Sequence, residues 1–541
     1  MMSKYKSLII LFVIFLLGTF LRLYQLGNVP NSLDWDEVSW GYNAYSILHT
    51  GKDEYGASFP ISFKAFGDYK QPIYVYSEVL PIKLFGLNAF SVRFPSAVYG
   101  SLSIIFIYLL ITELFYKNKR KDLIGLLAAG AFAISPWSIQ FSRLAFESTL
   151  GVFFVLVGLW TFLLGMRKNS VISFVISAAA FALSAYSYHS EKLFMPALLF
   201  FLLIIYRSYF LKRKLLTVFL MVVVLLFNAL WFTNWTTTAR GASVLFTSQK
   251  TQLLENSANA IVYYQKHNDK LGVLLNNRRI VYVDTFFLNY LKHFDPNWLF
   301  VKGDLERHHP PAMGILLFVS LPFILWGLYK LVRESYENKG IIFTWILLAP
   351  IASAIAIDAP NAERAVIMLP PIVIWEALGT LGFIDWASTK KLLVKRVALI
   401  VLVGVYLFNF LYYFQQYFGH TNYDTDMFWQ YGYQQAIEYT DQQQFNGKRI
   451  VFSEKFEQPY IFYLFYSKYD PQKYLEAGGS NVKNDKCFSI NNRYFGKCES
   501  MLRPGDIYLT LNETPTVPVK ELKTFTFMNG QVASKVYEVT K

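Results

Sequence analysis

Residues 7–20 read SLIILFVIFLLGTF, an apolar run that follows Lys4 and Lys6. The next residues, LRLY, contain no small-residue cleavage site, so we expect an uncleaved anchor rather than a signal peptide. Runs of about 20 apolar residues are typical of membrane-spanning helices. Ten further runs lie at about 94–116, 123–141, 148–166, 171–187, 193–208, 215–232, 312–331, 341–357, 365–384 and 397–415. They predict an α-helical polytopic membrane protein with about eleven to thirteen spans.

Composition and charge agree with this interpretation. The 541 residues are 54% hydrophobic and only 16% charged, whereas soluble domains carry about 25% charged residues. If the N-terminus is cytoplasmic, the basic clusters fall on the cytoplasmic side, as the positive-inside rule requires. These clusters lie at residues 117–121, 167–168, 207–214, 330–339 and 390–396. We therefore attribute the net charge of +14 to membrane topology and do not expect a nucleic-acid partner.

Three segments on the other side of the membrane are long: residues 21–93, 233–311 and 416–541. We expect an interfacial helix near residues 72–86, within a membrane domain that spans residues 1–415. The alternation of helical and strand-like stretches after residue 416 predicts a small extracytoplasmic α/β domain. Both cysteines, Cys487 and Cys498, fall in it and are predicted either to form a disulfide in an oxidising compartment or to be two free thiols.

An acidic cluster follows the first span, where residues 31–44 read NSLDWDEVSWGYNA. Asp34, Asp36 and Glu37 lie within four residues. Neighbouring carboxylates raise one another's pKa, which suits a general base near neutral pH. The structural alternative is that Asp34 or Asp36 caps the helix that follows. The local sequence favours neither interpretation over the other.

Several ordered motifs resemble glycosyltransferase family 39 and its neighbours, which include protein O-mannosyltransferases and aminoarabinose transferases of lipid A. The motifs are FGDYKQPIY (66–74), FGLNAFSVRFPSA (85–97), SPW (135–137), SRLAFE (142–147), YHSEK (188–192) and DAPNAER (358–364). These families have the GT-C architecture of multispanning enzymes that take a sugar from a polyprenyl-phosphate carrier. The resemblance is specific over residues 20–150 and looser to residue 385.

The resemblance implies that Asp36 is the catalytic base, that Glu37 supports it, and that Lys70 contacts the carrier phosphate. The pattern differs at one point, because Tyr69 stands where the aminoarabinose transferases have a carboxylate, with Asp68 one place earlier. The resemblance therefore does not assign a second acidic residue here, nor a metal bound by it. Further candidates for substrate binding are Asp34, Asp68, Tyr69, His189 and His293.

Three cations lie in short connections at the outer ends of predicted spans: Arg143, Lys192 and Arg364. A phosphate head group needs such cations, so we expect them to bind the donor phosphate together with Lys70. The alternative is snorkelling at helix ends, or pairing of Arg143 with Glu147 one turn along.

The second long loop is rich in histidine, and its residues 291–300 and 303–309 resemble further family elements. His293, His308 and His309 are candidate ligands of a divalent metal, although their spacing matches no structural metal motif. No cofactor is assigned, and a divalent ion is the candidate. The alternative is that these histidines are ordinary loop residues.

We therefore expect a glycosyltransferase in the plasma membrane with its active site outside the cytoplasm. It would move a sugar from a polyprenyl-phosphate donor to a protein, lipid or glycan acceptor, with inversion at the anomeric carbon. The alternatives are block transfer of an oligosaccharide and a non-catalytic transporter of lipid-linked glycans. A transporter would depend on Glu376, the clearest ionisable residue deep within a predicted span.

Overall fold

The structure is a computed structural model that describes residues 4–213, 245–247, 252–482 and 487–540. The predicted span at residues 215–232 lies outside the described residues. Contacts divide the chain into two units, which are described separately. Unit 1 holds Met1–Thr19, Tyr99–Phe141 and Glu147–Leu411, and unit 2 holds Phe20–Val98, Ser142–Phe146 and Tyr412–Lys541.

Helices dominate the described residues. The first ten are α1 (Lys4–Leu23), α2 (Trp35–Thr50), α3 (Pro72–Phe85), α4 (Ala89–Leu114), α5 (Lys121–Ile134), α6 (Pro136–Arg143), α7 (Ser148–Lys168), α8 (Val171–Ala185), α9 (Glu191–Ile205) and α10 (Arg207–Phe210). The next eight are α11 (Gln252–Lys266), α12 (Lys270–Leu275), α13 (Arg278–Lys292), α14 (Ser320–Arg333), α15 (Lys339–Leu348), α16 (Ile351–Ala354), α17 (Leu369–Ser388) and α18 (Leu392–Gln415). The last four are α19 (Thr421–Asp424), α20 (Tyr433–Thr440), α21 (Pro459–Tyr466) and α22 (Pro471–Glu476).

Five helical segments among the described residues are long and apolar enough to cross a membrane. They are Lys4–Leu23, Ala89–Leu114, Ser148–Lys168, Val366–Ser388 and Leu392–Asp424. The bent pair α5–α6, with 56° between its halves, gives a sixth if it is one span. These segments support the prediction of a membrane protein. The count of eleven to thirteen spans stays a prediction.

The predicted span at 312–331 differs from the structure, because its helix begins only at Ser320. The residues just before this helix pack against a π-helical turn, Trp298–Lys302. The Leu316 N–H donates to the Leu299 carbonyl in that turn over 2.8 Å. A Cβ on Gly314 would meet the Leu299 carbonyl oxygen at 2.7 Å. Backbone pairing at this close approach replaces the first turns of the expected helix.

Glycines also set the closest helix packing in unit 1, between α14 and α17. A Cβ on Gly327 would collide with the backbone of Trp375, and one on Gly379 would collide with the backbone of Phe323. Small residues of this kind let apolar helices approach to backbone contact, which is typical of helix pairs in membranes.

Unit 2 begins with the elements that follow the first span. Helix α2 ends at Gly51, whose positive φ of 69° gives a left-handed C-cap. A short hairpin follows, formed by β1 (Phe63–Ala65) and β2 (Asp68–Lys70). Helix α3 then starts with Pro72 at its first position, where the missing N–H costs nothing. The predicted helix near residues 72–86 is therefore observed.

The end of unit 2 contains a six-stranded mixed sheet with the order β4-β5-β3-β6-β8-β7. Its strands are β3 (Ile450–Phe452), β4 (Phe488–Ile490), β5 (Arg493–Phe495), β6 (Ile507–Thr510), β7 (Val519–Thr526) and β8 (Val532–Val539). Strand β3 pairs in parallel with β5 and β6, and the other pairs are antiparallel. Cys487 and Cys498 form a disulfide with their Cα atoms 4.8 Å apart. The domain boundary at residue 415 stays a prediction.

Candidate functional site

The three carboxylates at the start of α2 have different partners. The Glu37 backbone N–H donates to Asp34 Oδ1 over 2.9 Å, and the Asp34 N–H donates to Glu37 Oε2 over 3.3 Å. This reciprocal pair is a capping box, which satisfies N–H groups at the helix start. Asp34 is therefore the N-cap, as one of the two sequence interpretations predicts. Asp36 takes no part in the box.

Glu37 is fully buried and forms a bidentate ion pair with Arg93. Arg93 Nε donates to Glu37 Oε1 over 2.8 Å, and Nη2 donates to Oε2 over 2.9 Å. Glu37 Oε1 also accepts from the Ala145 N–H over 3.0 Å. The other N–H groups of Arg93 donate to the carbonyls of Leu26, Pro30 and Ser32. Glu37 thus joins the start of α2 to Arg93 and to Ala145, which lie in two other segments of the chain. Its support of Asp36 stays a prediction.

Asp36 pairs instead with Lys70. Its Oδ1 lies 2.9 Å from Lys70 Nζ, and the two side chains are 25% and 13% exposed. The Lys70 ammonium also lies 5.7 Å from the centroid of the Trp40 ring. Asp36 is therefore the member of the acidic cluster that remains accessible to a substrate, and it has a cation beside it.

The β1–β2 hairpin positions Lys70 as the last residue of β2. Its two neighbours of interest, Asp68 and Tyr69, are half-buried on the same strand. The Tyr69 N–H donates to Asp68 Oδ1 over 2.7 Å, which ties that carboxylate to the hairpin backbone. The sequence alone gives no role for Arg93. Arg93 stands within the FGLNAFSVRFPSA motif, which was the available signal.

Arg143 is fully buried, and its contact with the donor phosphate stays a prediction. Its three guanidinium nitrogens donate to the carbonyls of Leu21, Arg22, Tyr24, Gln25 and Val29 and to the Tyr417 hydroxyl. The guanidinium carbon also lies 4.7 Å from the centroid of the Phe418 ring. These partners satisfy carbonyls at the end of α1 and in the loop behind it. The structure assigns Arg143 to positioning this loop.

The other predicted cations belong to unit 1. Arg364 forms an ion pair with Asp358, and its side chain is 19% exposed. The Asn361 amide donates to the second Asp358 oxygen over 2.9 Å, so the DAPNAER motif folds on itself. Lys192 and His189 are half-buried at the start of α9 and just before it. Their roles in substrate binding stay predictions.

The candidate metal ligands also lie in unit 1. His308 Nδ1 donates to Asp304 Oδ2 over 3.0 Å, and His309 Nδ1 donates to the Pro310 carbonyl. His293 is buried and donates from Nδ1 to the Asn289 carbonyl over 2.8 Å. Burial lowers the pKa of His293 to about 4, so it is neutral near pH 7. No group of three or more metal-ligating side chains occurs within the described ranges, and the metal site stays a prediction.

Sequence comparison places the chain near known mannosyltransferases. A family model described as Dolichyl-phosphate-mannose-protein mannosyltransferase matches residues 70–232. A Bacillus subtilis protein named "Putative mannosyltransferase YkcB" is 27% identical over 202 residues, which are 36% of this chain and 26% of that protein. The match thus spans about a quarter of the length of this curated relative.

Solved structures share the fold. ArnT from Cupriavidus metallidurans in the apo state has a TM-score of 0.57 at 14% identity, with 99% of this chain and 98% of ArnT covered. The same protein bound to undecaprenyl phosphate also gives 0.57, at 11% identity and the same coverage. The apo oligosaccharyltransferase from Archaeoglobus fulgidus gives 0.50 at 15% identity, covering 86% of this chain and 64% of that chain. The family match over residues 70–232 and the shared fold confirm the predicted resemblance to GT-C proteins like those of glycosyltransferase family 39.

Proposed function

We propose that this protein transfers a sugar from a polyprenyl-phosphate donor to an acceptor hydroxyl or amine, with Asp36 as the general base. The observation that carries the proposal is the ion pair between Asp36 and Lys70, because it places a base and a phosphate-binding cation side by side. ArnT, which has this fold, binds undecaprenyl phosphate, and this supports a donor of the same chemical class.

In the proposed reaction Asp36 removes the proton from the acceptor atom as that atom attacks the anomeric carbon. The new bond joins acceptor and sugar, and the bond between the anomeric carbon and the phosphate oxygen breaks. The polyprenyl phosphate leaves with the bonding electrons. Lys70 stabilises the negative charge that develops on this phosphate, which is the main catalytic contribution expected of a fixed cation. Direct displacement inverts the anomeric centre.

The other predicted site residues have supporting roles in this proposal. Glu37 and Arg93 fix the start of α2, so that the Asp36 carboxylate faces Lys70. Arg143 fixes the loop between α1 and α2. Arg364 and Lys192 remain proposed contacts of the donor phosphate. The positive-inside pattern of the basic clusters supports a site on the extracytoplasmic face of the plasma membrane.

Transport of a lipid-linked glycan is the alternative from another class, and it requires Glu376 to act on a substrate. Glu376 Oε1 accepts from the Ser320 hydroxyl over 2.6 Å and from the Tyr406 hydroxyl over 2.8 Å. These partners suit a carboxyl that joins the helices α14, α17 and α18, so they favour a structural role for it.

The deciding experiment measures sugar transfer by the purified protein in lipid nanodiscs. The donors are radiolabelled polyprenyl-phosphate monosaccharides and, because an oligosaccharyltransferase shares the fold, one lipid-linked oligosaccharide. Wild type is compared with Asp36→Asn and with Glu476→Gln, an exposed carboxylate of unit 2 that serves as the control. Each reaction is run with and without a chelator, which tests metal dependence separately.

We expect transfer from at least one monosaccharide donor by wild type and Glu476→Gln, and a loss of at least a thousandfold in Asp36→Asn with unchanged thermal unfolding. Transfer from the oligosaccharide donor alone would replace the proposal with block transfer. Equal rates for wild type and Asp36→Asn would remove Asp36 as the base.

A further inference from the structure

A large open cavity lies within unit 2 and has no role in the chemistry described above. Its volume is about 820 Å³, within the range of small-molecule binding sites. Its walls come from the first loop, through Tyr55 and the tip of the β1–β2 hairpin, and from the C-terminal sheet domain. These two parts of the sequence are about 400 residues apart and belong to the same unit.

The lining has an unusual composition. Six aromatic residues line the cavity: Tyr55, Phe66, Phe456, Tyr460, Phe488 and Phe495. Among the described lining residues none is Leu, Ile, Val or Met, and the remainder are polar, charged, Gly or Pro. A lipid tail or an apolar peptide side chain would require aliphatic walls. A sugar ring instead has a face of C–H groups, which packs on an aromatic ring, and hydroxyl groups at its edge, which form hydrogen bonds with polar side chains. A lining of aromatic and polar residues therefore fits a sugar.

The aromatic side chains form a continuous row rather than separate contacts. The ring of Tyr460 lies 6.4 Å from that of Phe66 and 6.2 Å from that of Phe488. The ring of Phe488 lies 5.6 Å from that of Phe495. Tyr460 and Phe495 are buried in the floor, whereas Phe66 and Phe488 are half-buried. Phe66 and Phe488 are therefore the two rings of this row that a ligand in the cavity can contact.

The polar part of the floor is held in place by Glu54, which is fully buried. Its Oε2 accepts from the Tyr460 hydroxyl over 3.4 Å and from the Ser480 hydroxyl, and its carbonyl accepts from the Ser480 N–H over 2.9 Å. Asn43 donates to the second carboxylate oxygen over 3.1 Å. Side chains fixed in this way bind a ligand with little loss of conformational entropy.

Phe66 occupies a backbone position that disfavours it. Ala65 pairs with Asp68, so Phe66 and Gly67 are the two turn residues of the hairpin, with φ values of 53° and 79°. Two positive φ values define a type I′ turn, in which Asn or Gly is strongly preferred at the first position. A bulky aromatic residue there is uncommon. Its placement at the cavity supports a role in binding rather than in folding.

The same hairpin links the cavity to Asp36. Phe66 and Gly67 line the cavity, and Lys70 at the end of β2 pairs with Asp36. The strand β2 has three residues, which extend over roughly 10 Å at about 3.3 Å per residue. Along the hairpin, the cavity and the proposed base are therefore separated by on the order of 10 Å.

We propose that this cavity binds sugar residues of a glycan acceptor, so that the end of the acceptor reaches Asp36. The inference rests on the proposed function and narrows its acceptor to a carbohydrate. Aromatic faces bind the sugar rings, and the polar residues between them bind the hydroxyl groups. A peptide acceptor is the alternative that the test must separate.

The test measures binding without catalysis, by saturation-transfer NMR on the full-length protein in nanodiscs. The probes are mannotriose, cellotriose, maltotriose, the trimer of N-acetylglucosamine and a threonine-containing octapeptide. Phe66→Asn removes the ring and supplies the residue that the turn prefers, so it should fold at least as well as wild type. Phe488→Ala removes a second ring of the row. Tyr431→Ala, in a separate cavity of about 610 Å³ in the same unit, is the control.

We expect at least one trisaccharide to bind wild type and Tyr431→Ala equally and to bind Phe66→Asn and Phe488→Ala at least tenfold more weakly. Three outcomes would overturn the inference. They are that wild type binds none of the trisaccharides, that both ring variants bind a trisaccharide as tightly as wild type does, or that wild type binds only the peptide. The sugar-transfer activity of each variant is measured in the same nanodisc assay that compares wild type with Asp36→Asn. Normal transfer without trisaccharide binding would remove the glycan site and leave the proposed transferase intact.

Discussion

Glu37 and Arg93 form a fully buried bidentate ion pair, with 2.8 Å between Oε1 and Nε. The pair joins the first turn of α2 to the second turn of α4, and the same carboxylate accepts from the Ala145 N–H. Because Glu37 is committed to these contacts, Asp36 is the carboxylate left to face Lys70. The ion pair therefore separates a structural from a proposed chemical role within two adjacent acidic residues.

Replacement of Glu37 by Gln should destabilise the protein strongly. The change leaves the Arg93 guanidinium buried without its counter-charge, which costs about 3–5 kcal/mol in comparable buried pairs. We expect a clear fall in Tm in nanodiscs, whereas Asp36→Asn should leave Tm nearly unchanged. In the double variant Glu37→Gln with Arg93→Met the losses should be less than additive, since both changes remove one interaction. Full additivity, or a wild-type Tm for Glu37→Gln, would contradict the assigned role.

Replacement of Lys70 by Met should impair the chemical step. The loss of one fixed donor to a developing oxyanion lowers kcat by about 10²- to 10³-fold in well-studied enzymes. We expect Lys70→Met to lower kcat/KM for the lipid-linked donor by a similar factor, and Lys70→Arg to restore part of it. Steady-state kinetics with varied donor concentration measures both parameters. Lys83→Met, which changes an exposed lysine of α3, should have wild-type rates; similar losses in the two Met variants would indicate a general charge effect.

Replacement of Arg143 distinguishes its observed placement from a phosphate-binding role. Its hydrogen bonds to five backbone carbonyls predict that Arg143→Lys, which has fewer donors, lowers the stability of folding by about 2–4 kcal/mol. Thermal unfolding should therefore shift before donor affinity does. An unchanged Tm with a raised KM for the donor would restore the phosphate contact that the sequence favoured.

The sequence predicts the features that depend on local pattern. The apolar runs identify the long helices, and capping by Asp34 or Asp36, one of the two interpretations of the acidic cluster, identifies the start of α2. The C-terminal strands around residues 450 and 507 follow from short apolar stretches bounded by polar residues. In each case residues close in the chain determine the outcome, so that hydropathy and capping are sufficient to predict it.

Partners that are distant in the chain were not predictable. Arg93 lies 56 residues from Glu37, and nothing between them indicates which of the adjacent acids it will bind. Arg143 was predicted to bind phosphate because the sequence shows its charge but not the backbone carbonyls that surround it. The β7–β8 ribbon was also missed, because β7 at the sheet edge has alternating exposed residues and few apolar ones.

Asp426 predicts a pH dependence of stability in unit 2. It is 2% exposed, and its Oδ2 accepts from the Met528 N–H over 3.2 Å. Burial raises its pKa to about 6, above the value of about 3.9 in an unfolded chain. The folded protein therefore binds the proton more tightly than the unfolded chain. The stability that this group contributes is fully present below pH 4 and is lost as the pH rises through 6.

The substitution Asp426→Asn removes the charge and keeps an oxygen that can accept from Met528. The variant and wild type should have similar Tm values at pH 4, and the variant should be more stable above pH 7, by on the order of 2 kcal/mol. Differential scanning fluorimetry between pH 4 and pH 8 measures the difference in Tm between the variant and wild type. The other titrating groups are the same in both proteins, so their effects on Tm cancel in this difference. Glu476→Gln, which changes an exposed carboxylate of the same unit, is the control and should show no such trend. A difference that is constant with pH would show that folding does not raise the pKa of Asp426, and one that falls as the pH rises would show that the surroundings stabilise its charged form.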